Sequence, residues 1–402
     1  MDPILVVGAG PVGLSLALGL VRQGVEVVVV DQRPGIPRDP RATTLQPPVL
    51  EAFADWGVLR AIQRDGRVIG DLQYWDWTSH TRLAAFDYGA LEADTPCPYR
   101  VHLDQAGICQ VLLEAIEAAA PGTVRWGHKA VGLEVHDDHV QLTTSARVPG
   151  SRDEHVAVLR GRWLCGADGN HSWTRRQLGI GWEGPSRRET FLTARLDREA
   201  LRDLAVAGGE RLAGVSYLFL RDDWAMVMDM PDHVRLLFRA SGDGDEEVGR
   251  QAMEERSLEL LGDAHRHLHA LGLYHVQLRL ASQLVKGRVV LLGDAAHAAY
   301  PVGGTAMNAG IMDAHHLSWA LTHDVSGSDV ADSVARYDST RRAWALRYLL
   351  GETREAVDSL DAHWPWTRLF RNVALRRLDD TPEARRAHLL RLSMLGDRTG
   401  TS

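Results

Sequence analysis

The first thirty residues switch twice between unbroken apolar runs and helical spacing. Residues 3–7 are apolar and predict a short buried strand. Residues 11–23 place Val12, Leu16 and Leu20 on one helical face, and residues 25–30 return to a strand. Strand, turn, helix and strand make the opening of a parallel βαβ unit. Residues 45–59 read as helical around Leu50, Phe53 and Leu59, and 72–76 and 82–86 as paired strands. Asp104, followed by Cys109, Leu112, Leu113 and Ile116 and closed by Pro121-Gly122, predicts a capped amphipathic helix. Strands are expected at 123–126, 131–135, 140–144 and 156–159.

From about residue 182 to 280 the period becomes two. Phe191, Thr193 and Arg195 alternate with their neighbours, as do Tyr217 and Phe219, then Trp224, Met226, Met228 and Met230, then Val234, Leu236 and Phe238. This predicts an antiparallel sheet inserted between two pieces of a nucleotide-binding domain. Beyond Thr305 the pattern is helical, with arginine-rich faces. The fold class is therefore α/β: a Rossmann-like domain with an inserted antiparallel sheet and a helical C-terminus. The expected division is 1–70, 101–180 and 281–323 for the nucleotide domain, 71–100 and 181–280 for the sheet domain, and 324–402 for the helical segment.

Composition narrows the setting. At 402 residues and 45% hydrophobic the chain can bury a large core and suits two packed domains. A net charge of −8 speaks against general affinity for nucleic acid or anionic membrane. No apolar run is long enough to span a bilayer, and the N-terminus enters a core strand directly, so a cytoplasmic protein is expected. Cys97, Cys109 and Cys165 have no metal-like spacing; Cys109 and Cys165 read as core packing. No metal site is expected, and the neighbouring His315 and His316 lack ligand spacing.

Candidate chemistry begins at Gly8-Ala9-Gly10-Pro11-Val12-Gly13, a G-x-G-x-x-G placed after a strand and opening a helix. The glycines permit a tight turn, close approach of a pyrophosphate and close helix–strand packing. The helix N-terminus offers N–H groups and partial positive charge. Asp31, ending the second strand, is placed to accept from ribose hydroxyls, with Arg33 beside it. The motif alone leaves FAD and NAD open.

Two further segments decide between them. Gly166-Ala167-Asp168-Gly169-Asn170-His171-Ser172 runs on to Arg175, and Gly293-Asp294-Ala295-Ala296-His297 runs on through Pro301, Gly303, Gly304 and Asn308. With the opening motif, these three ordered segments resemble the flavoprotein aromatic hydroxylases, the p-hydroxybenzoate hydroxylase-like monooxygenases. The resemblance covers nearly the whole chain and is weakest in the middle sheet and the C-terminal tail.

The resemblance implies FAD as cofactor, NADPH or NADH as transient co-substrate, and O₂ reacting at flavin C4a before oxygen transfer to an aromatic ring. It implies cofactor contacts from Gly8, Gly10, Pro11, Val12, Gly13, Asp31, Arg33, Arg41, Gln105, Val131, Asp168 and Asp294. It further implies that Gly304 and the backbone of Ala306, Met307 and Asn308 face the flavin's pyrimidine edge. Arg175 is expected to tie its helix to the Asp-Gly turn, and His297 to be a hydrogen-bonded turn residue rather than a base. Thr305 and Ala306 depart from the family pattern, as does Tyr300. Arg195, Tyr217, Phe219, Met226, Met228, Phe238, Tyr300 and Pro301 are the substrate-wall candidates, and the methionines favour a bulky hydrophobic aromatic. No catalytic base is assigned. The competing readings are Baeyer–Villiger, epoxidation or decarboxylative chemistry on the same fold, or a flavin-binding protein without catalysis. A monomer or homodimer is expected.

Overall fold

The structure is a computed structural model and describes residues 1–37, 42–147, 154–185, 189–204, 210–221, 223–240, 258, 260–262, 268–300, 302–322, 330–352, 360 and 365–396. The expected βαβ opening is present as strand Ile4–Val7, helix Pro11–Arg22 and strand Val27–Asp31. The first strand pairs in parallel with both Val27–Asp31 and Trp163–Gly166, at the centre of a six-stranded sheet. Its strands read as near-continuous apolar runs because both faces are covered. Ile4 and Val6 pack with helix residues Leu14, Leu16 and Leu18 on one side, and Leu5 and Val30 with the Val140 and Leu142 hairpin on the other.

The seven-stranded sheet takes its strands in the order Leu268–Val276, Glu189–Leu196, Val234–Ala240, Trp224–Asp229, Val215–Phe219, Asp71–Asp76 and Thr81–Asp87. All neighbours are antiparallel except Val215–Phe219 and Asp71–Asp76, which run parallel. Both faces are apolar. Phe191, Tyr217, Phe219, Met226, Met228 and Leu237 point to one side, and Leu192, Ala194, Val227, Leu236 and Phe238 to the other. The first side is the inner face. There the strands pack with Ala299, Tyr300 and Ala309 of the third motif and with Leu375, Leu389 and Leu390 of the last two helices, Pro365–Asp380 and Pro382–Leu392.

The helix expected over 45–59 is instead two helices, Pro47–Asp55 and Leu59–Asp65, preceded by a two-residue strand Thr44–Leu45. Pro47 disfavours a helical conformation at Gln46, and Gly57, at φ 76°, breaks the run between the two helices. Cys97, Cys109 and Cys165 are free and buried. Among the described residues no helix is long and apolar enough to cross a membrane.

Candidate flavin and substrate site

Two helix starts define the site. The Pro11–Arg22 helix begins at Gly10 without a side-chain cap. Its first intrahelical bond is Leu14 N–H to the Gly10 carbonyl at 2.9 Å, which leaves the Val12 and Gly13 amides without an intrahelical acceptor. A Cβ on Gly13 would lie 1.9 Å from the Gly8 oxygen, so only glycine fits there. A Cβ on Gly10 would meet nothing within 4 Å, which leaves its approach to the backbone open. Uncapped amides around an open glycine fit a pyrophosphate. Asp31 closes the loop from the side. Its carboxylate accepts from the Ala9 N–H at 2.8 Å and from the Arg33 backbone and guanidinium. Burial pushes the Asp31 pKa up, but these hydrogen bonds outweigh it and hold the group below the usual carboxylate value.

The second start is the helix Thr305–Ala320, entered through Gly303 (φ 76°) and Gly304 (φ 66°), again without a side-chain cap. Asn308 fixes this entry. Its amide donates to the Thr44 and Gly304 carbonyls at 2.7 and 2.5 Å and accepts from the Gln46 N–H at 2.8 Å. Gln46 in turn donates to the Gly303 carbonyl at 2.7 Å. The Asn308 side chain is thus spent on the loop, and its backbone is what remains for a flavin. The Thr305 hydroxyl is buried without a partner beside the first-turn amides. That orphaned donor and the uncapped turn fit the polar edge of an isoalloxazine.

Between the two starts runs the Gly293–Ala295 turn. Asp294 is solvent-exposed, whereas Asp313 behind it is wholly buried. Asp313 accepts from the Gly293 N–H at 3.1 Å and from Arg341 Nε at 2.7 Å, and it pairs with His297 Nε2 at 2.6 Å. Burial raises the Asp313 pKa, and the adjoining His297 and Arg341 overcome that and hold it far below the usual range. His297 is accordingly a buried, bonded turn residue, as expected. Arg175 also does what was expected: it donates to the Asn170 and Ala295 carbonyls, both at 2.9 Å, and stacks 3.7 Å over Trp182. It joins the second motif to the third. Asp168 was expected at the cofactor, but its carboxylate accepts from the Ser172 hydroxyl and from the Thr174 amide and hydroxyl, holding its own turn.

Val131 is the extra residue of a bulge in the strand His128–Val135, between Ala130 and Gly132, and its side chain is 45% exposed. Gln105 is half-buried at the first position of helix Gln105–Ala119. Arg41 and Pro301 lie outside the described residues.

The substrate-wall candidates divide. Tyr217, Phe219, Met226, Met228 and Tyr300 are buried in one cluster on the inner face. The Tyr217 hydroxyl lies near the Gly303 backbone, which places that face beside the second helix start. Phe219 is covered by the Arg371 guanidinium at 3.6 Å. Two candidates are corrected. Phe238 faces the opposite side, among Leu192 and Leu236, because position 237 rather than 238 has the inner parity. Arg195 has the inner parity but sits at the strand end, half-exposed and paired with Asp232 at 2.6 Å.

The sequence reading missed Gln46, the Asp313–Arg341 pair and the buried inner-face cations Arg100 and Arg235. Gln46 preceding Pro47-Pro48 was the one available signal; Arg100 and Arg235 are single charged letters in apolar strands, and Arg341 sits beside Arg342 on an arginine-rich helix.

Comparison with known proteins matches this geometry. The family description "FAD binding domain" fits residues 1–349. Para-nitrophenol 4-monooxygenase of Pseudomonas sp. strain WBC-3 is 31% identical over 87% of this chain and 84% of its own. Aklavinone 12-hydroxylase RdmE of Streptomyces purpurascens is 30% identical, over 85% and 66%. The crystal structure of p-nitrophenol 4-monooxygenase PnpA from Pseudomonas putida DLL-E4 superposes with a TM-score of 0.88 at 27% identity, covering 98% of each chain. The ternary complex of aklavinone-11 hydroxylase with FAD and aklavinone gives 0.73 at 28%, covering 90% and 68%. The chain belongs to the FAD-binding-domain family of flavin-dependent aromatic hydroxylases and is an FAD-dependent monooxygenase.

Proposed function

We propose that this enzyme uses NAD(P)H and O₂ to place one oxygen on an aromatic ring held between the Gly303–Gly304 loop and the inner face of the seven-stranded sheet. One observation carries the placement. The inner-face cluster joins Tyr217, Met226 and Met228 of the sheet to Tyr300 of the third motif and to Ala309 just after it. In this reading the amides of Val12 and Gly13 hold the pyrophosphate, and Asp31, with Arg33 beside it, receives the ribose. Asp294 faces the ribityl chain, Gln105 and Val131 flank the cofactor, and the backbone of Ala306, Met307 and Asn308 meets the pyrimidine edge. FAD, when bound, supplies the hydride acceptance and oxygen activation that no side chain provides.

The chain's own contribution is placement and electrostatics. The first-turn amides of Thr305–Ala320 stabilise negative charge at the ring edge. Met226, Met228 and Tyr300 present an adaptable apolar wall that excludes water. The wall suits a largely apolar aromatic body. We read residues 71–100 with 181–280 as the substrate unit and the flanking segments as the cofactor unit. Operation in the cytoplasm, as a monomer or homodimer, belongs to the same proposal.

The test is direct. Purified protein should be yellow with stoichiometric FAD. It should oxidise NAD(P)H faster when an aromatic library supplies the substrate, and mass spectrometry should find a product one oxygen heavier. Flavin-loaded protein whose NAD(P)H oxidation no aromatic stimulates would overturn the proposal.

A further inference from the structure

The three-stranded antiparallel sheet of His128–Val135, Val140–Arg147 and Glu154–Gly161 rests one face on Leu5 and Val30 of the central sheet. Its two edges differ. The edge strand His128–Val135 is interrupted by the bulge at Val131 and carries Lys129, both of which discourage another strand from pairing. Glu154–Gly161 has neither. It runs for eight residues in unbroken register with Val140–Arg147, without proline or lysine, and among the described residues no strand occupies its outer side. An open edge of that length offers a row of N–H and C=O groups to another strand.

The side chains specify which strand fits. Ala157 and Leu159 are half-buried and face the core, Leu159 against the cluster of Leu5, Val30 and Leu142. Val156 and Val158 face outward, each 60% exposed, between the exposed Glu154 and Arg160. That outer face reads Glu, Val, Val, Arg, a pattern that is its own complement when reversed. In a two-fold antiparallel pairing centred on Ala157, Glu154 stands opposite Arg160 and Val156 opposite Val158, each pair occurring twice. Moving the centre to Val156 or to Val158 keeps the faces aligned but sets Glu154 against Val158, or Arg160 against Val156, and loses both ion pairs. The charged groups have capacity for the partner. Glu154 accepts from the Ser145 hydroxyl through Oε2, and Arg160 donates through Nε to Asp2 at 2.8 Å and through Nη2 to Asp138 at 3.4 Å. Glu154 Oε1 and the Arg160 Nη1 group lie outside these bonds.

We propose that this strand pairs with the same strand of a second copy of the chain, joining two three-stranded sheets into one of six across a two-fold axis at Ala157. Pairing of residues 154–160 supplies about six to eight backbone hydrogen bonds, and the four valines stack into one apolar patch. So narrow an interface makes a weak, reversible dimer. The strand contributes no residue assigned to flavin or substrate, so the inference stands apart from the proposed function.

Sedimentation velocity of the FAD-loaded protein across micromolar concentrations should show a monomer–dimer equilibrium. Glu154→Arg and Arg160→Glu each set like charges opposite one another and should weaken the dimer about tenfold or more. The double variant, Glu154→Arg with Arg160→Glu, restores opposite charges and should recover wild-type affinity to within about threefold. Ala157→Cys should cross-link two copies on mild oxidation, because only at the axis does a residue meet its own copy at disulfide distance; His155→Cys, opposite Leu159, should not. The native cysteines are buried and do not compete. A monomer at every concentration, a dimer unmoved by both single charge variants, a double variant no tighter than the singles, or cross-linking through His155→Cys and not Ala157→Cys would overturn the pairing.

Discussion

Asp313→Asn isolates the buried charge cluster behind the third motif. The wild-type carboxylate is fully buried, with Arg341 9% exposed and His297 1% exposed against it. The amide keeps the shape and one acceptor but strips Arg341 of its counter-charge. Removing one member of a buried pair costs about 3–5 kcal/mol. Because one acceptor survives, the expected loss is near the lower end, about 3 kcal/mol. Urea unfolding of the FAD-free protein measures it. Arg341→Met should cost a similar amount, and the double variant should lose less than the sum by about 1–3 kcal/mol, since the second change removes an already stranded charge. The Gly293 N–H loses its charged acceptor, so FAD affinity should fall about tenfold in Asp313→Asn. The pH dependence has a fixed sign. The folded-state pKa lies below the ordinary 3.8, so the stabilisation is present above that value and lost as pH falls through the folded pKa. The stability gap between wild type and variant should therefore be level at neutral pH and close only below about pH 4. A loss under about 1 kcal/mol, an additive double variant, or a gap that closes near neutrality would refute the reasoning.

Asp294→Ala should weaken FAD retention on gel filtration, because this exposed carboxylate stands on the turn between the two helix starts; wild-type retention would remove Asp294 from the cofactor contacts. Asn308→Ala deletes three hydrogen bonds at the helix entry, two of them buried, and should cost about 1–3 kcal/mol in urea unfolding, with weaker FAD binding. Met228→Ala and Phe238→Ala separate the two sheet faces. Both should destabilise by about 2–5 kcal/mol, but only Met228→Ala should change the KM of whichever aromatic proves to be oxygenated.

The parts of this fold that announce themselves in sequence are those where backbone chemistry restricts the residue. Gly13 must be glycine because the Gly8 oxygen stands where its Cβ would go, and the Asp-Gly and Gly-Asp turns are held by Ser172, Arg175 and His297, all readable by spacing. Period-two alternation located the large sheet but did not tell its faces apart, because Leu237 and Phe238 are equally apolar and both faces are buried. That is why Phe238 was misplaced. Arg195 failed differently: parity was right, but depth along the strand is set by tertiary packing. Arg100 and Arg341 gave no signal: a lone arginine between Tyr99 and Val101 reads as surface until the chain that covers it is known, and Arg341, next to Arg342, reads as part of an arginine-rich solvent face. The carbonyl that Arg100 donates to belongs to Leu392, at the end of a helix far along the sequence.

The central claim is that a flavin held between the two helix starts delivers an atom of O₂ to an aromatic on the inner face. Turnover under ¹⁸O₂ with mass spectrometry of the product tests it most directly. The account predicts one ¹⁸O atom in the product, gained with NAD(P)H consumption and dependent on bound FAD. A product whose new oxygen comes from water, or that forms equally well in FAD-free protein, would contradict it.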